Sequence, residues 1–295
     1  MKYRIRHITE YTYGQPVSLG YNRAHLIPRS SASQTCLSSL VRITPLPSTA
    51  SQRTDYFGNQ TYHFALEDSH KALTIDVTSQ IEVSDTPLAT DETLDSSPSC
   101  QQVLDALAES ATEATLLARE FVLDSPMIKS SDTLKALGEG IISPETPLLV
   151  AARALTSRIF NDFKYDPDFT TVATPLDEVL EHKRGVCQDF AHLAIGCLRS
   201  HGFAARYISG YLETLPPPGQ EKLVGSDASH AWFEIYVPDL GWIPFDPTND
   251  NIPGNQHLVT AWGRDYSDVT PLRGVIFDGG GAQTLSVSVD VARLD

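Results

Sequence analysis

The stretch GVCQDFAHLAIGCLRSHG, residues 185–202, decides the fold. Gly185 breaks the helical run PLDEVLEHKR that precedes it, in which Thr174 is placed to cap and Pro175 to occupy the first turn. A new helix is predicted from Cys187 onward. Phe190, Ala194, Cys197, Leu198 and His201 recur at helical spacing, and Gly202 supplies the stop. Cys187 therefore falls in the first helical turn, where the partial positive charge of the helix terminus favours a thiolate, the form that attacks carbonyl carbon. The N–H groups of that turn, that of Cys187 among them, are also placed to hold the oxyanion of a tetrahedral intermediate.

Downstream, ASHAWFEIYV alternates Ala231, Phe233, Ile235 and Val237 with His230, Trp232, Glu234 and Tyr236, the pattern of a strand with two distinct faces. His230 lies on the more polar face, as a proton partner for the thiol and then a proton donor to a leaving amine. The next strand is short, Trp242 to Phe245, with Pro244 inside it and Pro247 beyond, which favours a sheet edge. Asp246 closes it and is placed to orient the imidazole and stabilise its charged form. Taken singly, a cysteine on an apolar helix face is a small buried hydrophobe, the reading given to Cys36, Cys100 and Cys197. Asp-Pro-Thr alone is a common turn. Order and context together make Cys187, His230 and Asp246 the candidate catalytic residues. The same side chains are acceptable zinc ligands, which leaves a metal site as a competing reading.

These segments resemble the transglutaminase-like superfamily of papain-type thiol enzymes, in which Cys, His and Asp follow in this order on a helix and adjacent strands. The nearest likeness is to a bacterial branch described as candidate cysteine proteases. It is carried by GVCQDFAHL, LRSHGFAARYISGY, SHAWFEIY, GWIPFDPTN and the closing segment HLVTAWGRDYSDVTPLRGVIFDGGG. Its N-terminal region is echoed by TYGQPV, HLIPR and DYFGNQ. The resemblance implies Cys187 as nucleophile, His230 as general acid and base, and Asp246 as orienting carboxylate. It implies an α+β fold in which an antiparallel β-sandwich-like N-terminal domain precedes a papain/transglutaminase-like domain. The chain departs from the animal cross-linking enzymes in having Gln188 after the nucleophile and no span for their additional barrels, so calcium-dependent cross-linking is not carried over.

The rest of the chain is consistent with two modest domains. KYRIRHITEYTY, SLVRITPLP, GNQTYHFALE and ALTIDVTSQIEV alternate with period two, giving a β-sandwich-like domain over 1–85. The Ser-, Thr-, Asp- and Pro-rich run over 86–99 reads as a linker, and 100–295 as the catalytic domain. Within the latter, helices are predicted near 100–107 and 112–123, and Leu148, Ala152, Leu155, Ile159 and Phe163 form a core stripe. The proline-rich LPPPGQEKLVGSD between the strand ending near Leu212 and the His230 strand is a candidate rim of the site, or else a hairpin loop.

A formal charge of −15 excludes nucleic acid and anionic membrane as principal partners. The four cysteines form no CxxC pair and no disulfide framework, and Met1 to Glu10 reads as a strand and not a signal peptide, so a cytoplasmic location is expected. His25, His63 and His70 lack metal-ligand spacing, and Gly279 to Gly281 lacks the lysine of a phosphate loop. No cofactor and no metal are expected. The predicted reaction is thiol-dependent acyl transfer through a thioester, hydrolysing a peptide or protein amide. The alternatives are transglutaminase-type transfer to an amine and a non-catalytic peptide-binding module.

Overall fold

The computed structural model describes residues 1–84, 89–214 and 229–294. The chain opens with six strands: β1 (Lys2–Val17), β2 (Leu19–Ile27), β3 (Gln34–Thr44), β4 (Thr49–Thr54), β5 (Gln60–Leu66) and β6 (His70–Val83). Alternation in β1 is realised directly, with Tyr3, Ile5, His7 and Thr9 buried and Lys2, Arg4 and Arg6 facing out. β4 is exposed at every position, so its sequence carries no such signature. Two four-stranded antiparallel sheets result, packed around Tyr13, Val17, Leu26, Phe64, Leu73 and Ile75.

Each of these sheets takes one edge strand from the far end of the chain. β13 (Leu272–Phe277) pairs with β2 and β14 (Gly280–Arg293) pairs with β1, giving the orders β13-β2-β5-β4 and β14-β1-β6-β3. The expected extent of 100–295 for the catalytic segment is corrected accordingly, because residues 272–293 complete the sandwich. Periodicity identifies a strand without naming its partner, and here the open edges of β1 and β2 provide one. Gly279 is essential to the turn between them: its φ is +113°, and a Cβ there would sit 1.7 Å from the Pro16 carbonyl oxygen.

The expected linker over 86–99 is also corrected in part, residues 85–88 lying outside the described ones. Thr90 caps α1 (Asp91–Asp95), Ser99 caps α2 (Cys100–Glu109), and Ala89 and Leu94 are buried in the larger core. Serine and threonine that read as linker composition are here helix caps. α3 (Glu113–Ala118), a 3-10 turn over Arg119–Val122, α4 (Asp132–Ala136) and α5 (Leu148–Asp162) follow, and the stripe Leu148, Ala152, Leu155, Ile159 and Phe163 is buried. A short parallel pair, β7 (Lys164–Tyr165) with β8 (Arg184–Gly185), brackets α6 (Leu176–His182). Pro175 and not Thr174 stands at the cap of α6, since the Thr174 hydroxyl is taken by the Thr171 N–H at 2.9 Å.

α7 (Cys187–Ser200) runs through the centre of the second half, buried from Gln188 to Arg199. It lies against a sheet of β9 (Ala205–Leu212), β10 (Ser229–Val237), β11 (Gly241–Phe245) and β12 (His257–Gly263), in the antiparallel order β11-β10-β9-β12, with α8 (Tyr266–Val269) following. The short proline-containing β11 is an edge strand.

The sandwich grips the other edge. Gln34 Nε2 donates to the Val259 carbonyl at 2.8 Å while its Oε1 accepts from Val259 N–H at 2.9 Å. Asn59 repeats the motif with Trp262, at 2.8 and 3.0 Å. Two side-chain amides thus stand in for a neighbouring strand along β12 and satisfy an edge that would otherwise be open. Arg29 and Arg206 stack on the Trp262 ring at 3.0 and 3.8 Å, and Arg206 also stacks on Trp242 at 4.3 Å. Asn59 is fully buried and further bonded to Arg29 and Asp55. Replacing it with alanine strands several buried partners, so Asn59→Ala should lower unfolding free energy by roughly 2–4 kcal/mol. Denaturant titration measures this, and a loss below about 0.5 kcal/mol would show that the amide clamp contributes little.

Candidate active site

Cys187 stands at the first position of α7 and is partly exposed. The turn before it is fixed by Asp189, whose carboxylate accepts from Val186 N–H at 2.9 Å and from the Thr170 hydroxyl at 2.8 Å. Burial pushes the Asp189 carboxyl up, against the pull of these two donors. The backbone passes so close that a Cβ at Gly185 would lie 2.8 Å from Asp189 Oδ2, so glycine is required there for contact as well as for breaking the helix. Burial, with a smaller contribution from the neighbouring Cys187, holds the Tyr207 phenol well above its ordinary value, which keeps it neutral.

His230 is the second residue of β10, and antiparallel pairing with β11 brings the end of that strand beside it. Its Nε2 lies 2.7 Å from Asp246 Oδ2, and the neighbouring Cys187 thiol acts on the same imidazole. With Nε2 committed to Asp246, Nδ1 is the nitrogen left for the thiol. Burial alone would push this imidazole down, but hydrogen bonds and charge from Asp246 and Cys187 outweigh it and raise the pKa to about 10. Asp246 is fully buried; desolvation works to raise it, yet His230, His257 and Asn249 hold it far below the usual carboxylate range. Its Oδ1 accepts from Thr248 N–H at 2.9 Å and Asn249 N–H at 3.3 Å. Oδ2 accepts from His230, from Asn249 Nδ2 at 2.7 Å and from His257 Nε2 at 3.0 Å. The three residues singled out by the sequence are therefore brought together, with the imidazole backed by a buried carboxyl group.

His257 was not legible as part of this group, because a lone histidine at the head of a strand carries no spacing signal. Among the described residues, His230, Asp246 and His257 are the grouping with metal-type ligand atoms, all within 4.8 Å of one another. Those atoms already bond to each other, so an ion would have to replace the Nε2 protons. On the other side of His257 a cavity of about 600 Å³ opens between sandwich and sheet, lined by Gln34, Trp232, Trp242, Asn255 and Trp262 among others. Cys187 does not line it.

The remaining sequence candidates fall elsewhere. Cys100 and Cys197 are buried, which pushes both thiols up, Cys197 to about 12. His25 is buried between the Thr270 carbonyl and Asp55, and His70 is buried on Tyr13. Arg264, just before α8, pairs with Asp268 within it, and Asp265 caps the helix. The proline-rich segment 215–227, read as a candidate rim, lies outside the described residues.

Comparison with known proteins places this chain in a family. Residues 3–82 match the bacterial transglutaminase-like N-terminal region and residues 135–247 match the transglutaminase-like superfamily. An uncharacterised protein of Mycobacterium tuberculosis is 40% identical over 301 residues, covering 100% of this chain and 93% of its own length. The chain belongs to the transglutaminase-like superfamily. Its fold is shared with a protein from Cytophaga hutchinsonii described as a "Putative Cysteine Protease", at a TM-score of 0.77 and 22% identity, covering 100% of this chain and 91% of that one. A shorter likeness, 30% over 109 residues, joins it to a Pseudomonas aeruginosa protein-glutamine gamma-glutamyltransferase, covering 34% of this chain and 16% of that protein.

Proposed function

We propose that this chain hydrolyses a peptide or side-chain amide bond through a thioester on Cys187. The observation that carries the proposal is the 2.7 Å bond from His230 Nε2 to the buried Asp246 Oδ2, on an imidazole that also feels Cys187 at the head of α7. The imidazolium beside the thiol favours the thiolate, which adds to the amide carbonyl carbon. The oxyanion so formed meets the helix-start N–H groups, that of Cys187 included. Collapse expels the amine as His230 gives it a proton, leaving the acyl group on sulfur and a neutral imidazole. His230 then takes a proton from water as that water attacks the thioester, which releases the acid and restores the thiolate–imidazolium pair. Asp246 keeps Nε2–H pointed at itself throughout and balances the imidazolium charge.

Transfer of the same acyl group to an amine is the second reading, favoured by the segment shared with the Pseudomonas aeruginosa glutamyltransferase. A peptide-library digest run beside an assay of labelled-amine incorporation into a glutamine donor separates the two. New carboxyl termini or deamidated side chains without amine incorporation are the expected result; incorporation without hydrolysis reverses the assignment. Neither activity, with a competent thiol, would leave a peptide-binding module.

Because the thiolate and imidazolium supply both nucleophile and proton donor, turnover should survive exhaustive EDTA treatment in the presence of a thiol reductant. Activity lost to EDTA and restored by calcium or zinc would contradict the cofactor-free mechanism.

A further inference from the structure

Asp246 is shared between two histidines. His230 Nε2 and His257 Nε2 meet the same oxygen, Oδ2, at 2.7 and 3.0 Å, and their rings lie 6.0 Å apart. His257 is 8% exposed, its Nδ1 is buried with no hydrogen-bond partner, and its ring packs edge-on to Trp232 at 5.2 Å and 82°. Trp232 lies in turn 5.9 Å from His230. A buried imidazole with an unpaired nitrogen is an arrangement folding alone disfavours. Here the other nitrogen, Nε2, bonds to the carboxylate that faces the reacting pair. His257 also heads β12, the strand whose outer edge is gripped by Gln34 and Asn59 of the sandwich, and it forms part of the wall between Asp246 and the 600 Å³ cavity.

We propose that His257 is a positioning residue: it fixes the Asp246 carboxylate and the Trp232 ring against His230, and it does so from a strand that the N-terminal sandwich holds in place. The sandwich thereby acts on the reacting pair at one remove, through β12. This deepens the reading of Cys187 and His230 as that pair and rests on it. His257 touches neither thiol nor substrate in this role. The charged and titratable groups around His230 are Asp246 and Cys187, and those bonded to Asp246 are the two histidines.

The test uses iodoacetamide on the full chain and follows the alkylation rate of Cys187 near pH 7, with thermal melting as the folding control. His257→Leu removes the donor and keeps an apolar filling, so the rate should fall about tenfold or more, on the scale seen when a residue orienting a ligating or reacting group is lost. His257→Gln restores an N–H near the position of Nε2 and should recover the rate to within about threefold. In an Asp246→Asn background His257→Leu should produce no further fall, since the effect runs through Asp246. A wild-type rate in His257→Leu, or a full additional loss on top of Asp246→Asn, would overturn the proposal, as would one equivalent of zinc retained by the wild-type protein. If wild-type Cys187 is not preferentially alkylated, the underlying reading of the site fails as well, and that outcome is visible before any His257 variant is made.

Discussion

Cys187→Ala should eliminate the proposed amide turnover, by roughly 10⁴-fold or more, while the melting temperature stays within a few degrees of wild type. The size follows from the role: without sulfur no thioester forms, and the oxyanion donors and binding surfaces that remain supply only a residual acceleration. The fold should tolerate the change because Cys187 is at the edge of the core and only partly buried, whereas α7 is anchored by the buried run from Gln188 to Arg199. Asp189 keeps the preceding turn in place whichever side chain occupies position 187. Turnover within tenfold of wild type would remove Cys187 from the mechanism.

The second large effect belongs to Asp246→Asn. An amide oxygen can replace Oδ1 and keep the two backbone N–H bonds from Thr248 and Asn249, but its NH₂ then faces His230 Nε2, His257 Nε2 and Asn249 Nδ2, all of which donate to the carboxylate. Relief requires His230 to carry its proton on Nδ1, the wrong tautomer for receiving one from the thiol. Turnover should drop by roughly 10²–10⁴-fold, and His230→Ala should be at least as damaging.

The pH profile should move as well. In the proposed mechanism the His230 imidazolium, its pKa raised to about 10, protonates the leaving amine, so acylation should be sustained below that pH and lost as pH rises through it. Removing the negative charge of Asp246 takes away a cause of that elevation, so the alkaline limb should shift to lower pH. Unchanged turnover and an unmoved limb in both Asp246→Asn and Asp246→Ala would mean that another group orients the histidine. Asp189, the neighbour of the nucleophile in sequence, is poorly placed for that: its bonds go to Val186 and Thr170.

Much of this site is legible in the sequence because its parts are local. A helix beginning at Cys187 is announced by Gly185 before it and an apolar stripe after it, and the face of β10 that carries His230 is announced by alternation. Long-range pairing is a different matter. Nothing in the alternation of residues 272–293 says that these strands cross back to β1 and β2, and the polar edge residues Gln34 and Asn59 look like ordinary surface amides until β12 is seen against them. His257 is hidden for the same reason: its meaning lies in the Asp246 oxygen it shares, which only the folded sheet brings within 3.0 Å. The misread linker shows the converse limit, since threonine and serine at positions 90 and 99 serve equally well in loops and as helix caps.

The most direct test of the central claim is competitive alkylation of the four cysteines near pH 7, read by peptide mapping in wild type and in His230→Ala. Cys187 should be modified first, ahead of the partly exposed Cys36 and far ahead of the buried Cys100 and Cys197, and its advantage should vanish when His230 is removed. Faster labelling of Cys36, or a Cys187 rate indifferent to His230, would contradict a thiolate–imidazolium pair at the head of α7.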